Sequence, residues 1–253
     1  MALALGTAAC GGTQASSEGV GSQIPPAVVN PMPASASLSG RVHRADGSPV
    51  AGASVLIAET DGSVSTGDDG TYSVSVPSES TVTLVASAPG MAPTYRQPVQ
   101  LTAQASGMGL DILMLSTDEV ATLAALSPTN RATTGGVIAT RLHALVPSCA
   151  PAGATIAVRP PQAAQVVYGH SAVADAVSSP DPALTSVQVG DGDVAGWLVG
   201  AVPPGSEIDI AVARDGCRVA VPAPSLGGLT YESGMRVDAL ALTEMDLFLE
   251  EAP

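Results

Sequence analysis

Three histidines, His43, His143 and His170, are the side chains of this sequence best suited to proton transfer or metal binding near neutral pH. Only His170 has polar company: the stretch YGHSAVAD sets Tyr168, His170, Ser171 and Asp175 close together. A nucleophilic serine of the hydrolase type needs a Gly-x-Ser-x-Gly setting on a strand-to-helix turn. Gly169-His170-Ser171-Ala172-Val173 lacks the second glycine, and a His adjacent to a Ser in sequence cannot easily face it as base to nucleophile. The stretch reads as a decorative loop. His43 and His143 belong to no His-Glu-x-x-His pattern and no Cys/His cluster of zinc spacing, and both read as surface residues. Two acidic turns, TGDDG (Asp68, Asp69) and VGDGDVAG (Asp191, Asp193), could attract a cation. A calcium loop opened by Asp191 would need ligands where Ala195 and Val202 stand, so both stretches read as turns. No glycine-rich phosphate cradle joins a strand to a helix. The sequence therefore offers no catalytic residue, no metal site and no cofactor.

Composition narrows the function classes further. The 253 residues carry 23 acids against nine basic residues, all of them Arg, for a net charge of −14. Such a chain repels phosphate backbones and anionic lipid surfaces, so no nucleic-acid partner is expected. No apolar run reaches the length of a membrane-spanning helix. Hydrophobic residues make up 45 % but aromatics only 2 %, so a core must come from Ala, Val, Leu and Ile. With 27 Gly and 21 Pro dispersed along the chain, that composition fits short strands joined by turns.

The elements follow from alternation. Leu38 and Val42 share one strand face against Ser39 and Arg41; Tyr72, Val74 and Val76 alternate with Ser73 and Ser75; Val82, Leu84 and Ala86 share a third face. The pattern then recurs. Gly70–Gly90 aligns without gaps to Gly196–Gly216, so that Val76-Pro77 answers Val202-Pro203, and Val82, Leu84 and Ala86 answer Ile208, Ile210 and Val212. GASVLI at Gly52–Ile57 answers GATIAV at Gly153–Val158, and SGMGLDILMLS at Ser106–Ser116 answers SGMRVDALALT at Ser233–Thr243. Two copies of one β-unit in tandem are expected. Between them, Ser116 and Glu119 have the form of a capping box, and EVATLAAL gives a helix of about two turns before Pro128.

The stretch SGRVHRADGSPVAGASVLIAETDGSVSTGDDGTYSVSVPSESTVTLVASAPGM closely resembles the carboxypeptidase regulatory-like domain, through Gly40, Val42, Gly47, Pro49, Val50, Gly52, Ala53, Val55, Thr66, Gly70, Tyr72, Ala88 and Gly90. The resemblance implies a transthyretin-like, immunoglobulin-related β-sandwich that serves surface proteins, receptors and peptidases as a non-catalytic accessory. The second copy resembles the family more weakly. There Leu198 takes the place of Tyr72, with Trp197 beside it, and insertions fall around ALVPSCAPAG and AAQVVYGHSAVADAVSSPDPALTSVQ. The expected fold is thus all-β: two tandem transthyretin-like sandwiches at 36–115 and 134–249, joined by a short helical connector at 116–133.

At the N-terminus, MALALGTAACGG resembles the end of a bacterial lipoprotein signal peptide, with Cys10 as the lipidated residue. Residues 1–10 then form a truncated signal whose charged start lies upstream, and the Gly-, Ser- and Pro-rich residues 11–35 a disordered tether. Of three cysteines, lipid on Cys10 leaves Cys149 and Cys217 to form a disulfide, or to stand as two separate buried thiols. These features converge on a non-enzymatic surface protein of the cell envelope, held to a membrane by its lipid, with tandem sandwiches that act as spacers or contact an envelope or extracellular protein. The alternative is a glycan- or small-ligand-binding module. Trp197, four Tyr and Phe248 are the aromatic rings on which a sugar could stack.

Overall fold

Alternating sequences build strands throughout the computed structural model. The residues described are 35–60, 62–102, 108–125, 135–159, 166–168, 183–187, 195–202, 209–220, 229–231 and 240–253. The first half supplies β1 (Ser35–His43), β2 (Ser54–Ile57), β3 (Ser63–Ser65), β4 (Thr71–Pro77), β5 (Thr81–Val82), β6 (Leu84–Ser87), β7 (Thr94–Arg96), β8 (Val99–Leu101), β9 (Met108–Gly109) and β10 (Ile112–Leu113). One helix, α1 (Thr117–Ala125), follows. The second half supplies β11 (Gly136–Ala144), a single 3₁₀ turn at Pro147–Cys149, β12 (Thr155–Arg159), β13 (Val166–Tyr168), β14 (Ala195–Val202), β15 (Asp209–Ala213), β16 (Cys217–Val219), β17 (Leu229–Tyr231) and β18 (Leu242–Glu251). The chain is all-β with one short helix among the described residues.

In the first half, β1 runs antiparallel to β4, with Leu38 opposite Val74 and Gly40 opposite Tyr72, and parallel to β9 and β10. This layer faces a second one in which β2 pairs β3 and β6, and β6 pairs β7. Leu38, Val42, Tyr72, Val74 and Val76 from one layer meet Val55, Ile57, Leu84 and Ala86 from the other in a common core, as the alternation requires. Two motif glycines are forced by close approach. A Cβ on Gly40 would lie 2.2 Å from the Leu110 carbonyl oxygen, and one on Gly70 would lie 2.5 Å from that of Val42, where φ is also +78°. The Tyr72 hydroxyl donates to the same Leu110 oxygen, and burial pushes its pKa up. Thr66 is buried as well: its hydroxyl donates to Val50 O (2.6 Å) and accepts from Ala53 N (2.9 Å), closing the loop that carries Pro49 and Gly52.

The second half pairs its strands in the same pattern. β11 runs antiparallel to β14 and parallel to β18, and β12 runs antiparallel to β15. Ile138, Leu142, Met245 and Leu247 meet Ile156, Val158, Ile210 and Val212 in a separate core. The quoted repeat places its strand differently in the two halves. In SGMGLDILMLS the two short strands β9 and β10 lie inside the phrase, whereas β18 begins only at Leu242, near the end of SGMRVDALALT; Ser233–Ala239 lie outside the described residues.

The halves also share strands. β18 pairs parallel with β11 on one side and with β7 on the other, so a sheet of nine strands among the described residues runs β13-β14-β11-β18-β7-β6-β2-β3, with β16 on the end of β18. β17 pairs antiparallel with β8 of the first half. The capping box forms at α1: Ser116 N and Oγ both donate to Glu119 Oε2 (2.7 Å each), and Glu119 N donates to Ser116 Oγ. Val120, Leu123 and Ala124 of α1 then pack with Leu113 and Leu115 from the first half and Val137, Ala139 and Leu242 from the second, a third apolar cluster that joins the halves.

Candidate functional site

A group of buried charged side chains lies beside that joining cluster. Along β18 the odd residues Met245 and Leu247 enter the second-half core, which turns Glu244 and Asp246 to the opposite face. On β11 the same face carries Arg141 and His143, and on β7 it carries Arg96, which stands in register with Glu244. Glu244 and Asp246 side chains are each 2 % exposed.

Each carboxylate joins the two halves. Glu244 Oε1 accepts from Arg141 (2.8 Å), while Oε2 accepts from the backbone N–H of Leu113 in β10 (3.0 Å). Asp246 pairs with Arg96 through one oxygen, and its other oxygen accepts from His143 Nε2 (2.7 Å). The backbone repeats the arrangement: Asp246 N donates to the Gln97 side-chain oxygen and Gln97 N to Glu244 O, both at 2.8 Å. Burial alone would raise the Asp246 pKa. The Arg96 guanidinium, the His143 hydrogen bond and the more distant Arg141 instead hold it well below the usual carboxylate range. Because the ionised carboxylate can only accept, the Nε2 proton is present whichever charge His143 carries. The His143 ring stacks on Phe248, centroids 4.9 Å apart. Two largely buried acids neutralised by two guanidiniums hold structure; no metal-ligand cluster accompanies them among the described residues.

The residues singled out by type in the sequence fare variously. His43 is buried, not on the surface, because Leu113 of β10 and the Pro49 bridge bracket it; its Nδ1 donates to Arg44 O (3.0 Å). His143 is half-buried and belongs to the charged group. Tyr168 is buried and its hydroxyl accepts from Ile156 N (2.9 Å), a structural bond. His170, Ser171, Asp175, Asp191, Asp193 and Cys10 lie outside the described residues. Asp69 is exposed and accepts from Thr71 N and Thr71 Oγ1, bonds that lower its pKa: the geometry of a turn. Trp197 pairs with Thr140 and Tyr168 through its strand. No three His, Cys, Asp or Glu among the described residues come together as a metal site.

Cys149 and Cys217 form a disulfide, Cα atoms 5.8 Å apart. It ties the 3₁₀ turn after β11 to β16, which pairs with the end of β18. Ser148 Oγ donates to Glu251 Oε1 (2.6 Å) at the same end.

Arg96, Arg141, Glu244 and Asp246 were not singled out by residue type. Their one sequence signal is that Glu244 and Asp246 alternate with Met245 and Leu247 inside a strand, a pattern shared by any solvent-facing strand.

The described residues form a layered β-protein with a buried charged group between its halves. Residues 37–114 match the carboxypeptidase regulatory-like domain family, whose members are non-catalytic. No curated protein matches the chain. Two solved structures are similar to it at low identity. The Bacillus anthracis TIE protein is 8 % identical with a TM-score of 0.29, the match covering 87 % of this chain and 34 % of that one. A variant of the major pilin from Streptococcus pyogenes is 10 % identical with a TM-score of 0.25, covering 86 % and 98 %.

Proposed function

We propose that this is a non-enzymatic protein of the cell envelope, anchored through lipid on Cys10, whose β-sandwiches space or present a surface to another envelope or extracellular protein. The observation that carries this reading is the carboxypeptidase regulatory-like domain at 37–114, a non-catalytic module. The Cys149–Cys217 disulfide supports it, since such bonds persist in oxidising compartments outside the cytoplasm. No described helix is long and apolar enough to cross a membrane. Anchoring through lipid needs two or more acyl chains to be stable. Residues 11–35 act as the tether. Residues 134–249 act as a diverged second sandwich of the same type, a reading supported by the matched pairings of β1, β4 and β10 with β11, β14 and β18.

Expression from the full native start in the presence of a labelled fatty acid tests the anchor. Label enters the wild-type protein and is lost in Cys10→Ser. A wild-type protein that takes up no label contradicts the anchoring.

A further inference from the structure

We propose that Glu244 and Asp246 are the device that makes the two halves open and close as one body. Both acids sit on β18, the strand shared by the halves. Each bonds one group from either side: Glu244 holds Leu113 N of the first half and Arg141 of the second, and Asp246 holds Arg96 of the first and His143 of the second. Moving either half away from β18 strands a buried carboxylate with half its partners, together with a buried guanidinium.

Apolar contact alone does not make that demand. The joining cluster of Leu113, Leu115, Val120, Leu123, Val137 and Leu242 would tolerate sliding, because dispersion and area burial carry no direction. Four charge-assisted bonds at fixed positions do. A buried ion pair adds little to stability beside a hydrophobic replacement, but removing one partner is strongly unfavourable, and that asymmetry is what couples two elements. The inference goes beyond the anchoring and presentation reading and stands without it: a spacer could be built from independent beads, whereas this chain holds its second half in one register against the family-matched domain.

The test is a urea series on the full-length oxidised protein, read by hydrogen-exchange mass spectrometry. β4 reports the first half and the β12–β15 pair the second. In the wild-type protein the two midpoints coincide. In Asp246→Asn and in Glu244→Gln they separate, the second half opening earlier by roughly 0.5 M urea or more, as expected for the usual denaturant slopes. Wild-type midpoints that already differ overturn the proposal. So do variants in which both halves shift together, which would mark the acids as ordinary stabilising residues. If Asp246→Asn does not fold, Glu244→Gln decides on the same criterion, because a glutamine oxygen can still accept from Leu113 N.

Discussion

Gly40 carries no side chain because the chain at Leu110 crosses directly over it, and Tyr72, opposite Gly40 in register, reaches the same carbonyl. Gly40→Ala forces a Cβ into that oxygen. The first-half stability should fall by about 1–3 kcal/mol, the range for overpacking, as read from the urea midpoint at unchanged slope. These motif residues were legible because each answers a local backbone demand that a sequence records in its residue types. The charged group was not. Glu244 and Asp246 alternate with Met245 and Leu247 as they would on a strand facing water; only the arrival of β7 and β10 from the other half covers them. His43 shows the same limit: a polar residue beside Arg41 and Arg44 reads as exposed until Leu113 closes over β1.

At this scale the pH dependence also has a definite sign. The Asp246 pKa is lower in the folded protein than the ordinary value of about 4, so its contribution to stability is fully present above that pH. It is lost as the pH falls below about 4 toward the folded-state value. Replacing Arg96 with Met leaves Asp246 buried without its guanidinium and should cost about 3–5 kcal/mol near neutral pH, with a smaller cost in acid where the carboxyl takes a proton. Equilibrium unfolding of the two proteins at neutral pH and in acid measures both; a cost that does not shrink in acid contradicts the assignment.

Among elements, α1 was the easiest to read: a capping box writes its start in two residues three apart, and the reciprocal Ser116–Glu119 bonds are those the pattern specifies. The alternating strands of the first half were equally plain. β18 was harder, because the repeated phrase pointed to Ser233–Thr243 and the strand starts at Leu242. The register a strand adopts depends on what lies beside it, and β18 lies beside β7. The disulfide acts at this scale too. It closes a long loop and fixes the turn after β11 against β16. Reduction should lower stability by about 4 kcal/mol on the chain-entropy account, seen as a drop in urea midpoint on adding reductant. The same midpoint with and without reductant would remove the bridge from the account.

Among the described residues, two separate cores are joined by a third apolar cluster, a buried charge group and two strand pairings between the halves, β17 with β8 and β18 with β7. Alternating strands in each half could be anticipated from the sequence pattern. That they share a sheet could not, since any strand end offers the same backbone groups to any neighbour and the sequence does not name the neighbour.

Hydrogen exchange along β18 of the native protein tests that architecture most directly. The account predicts that amides of Leu242–Glu244 exchange as slowly as those of β4 and β11, since this part of β18 is paired with β11 on one edge and with β7 on the other and can open only when both halves do. Fast exchange of these amides while β4 and β11 stay protected would contradict it.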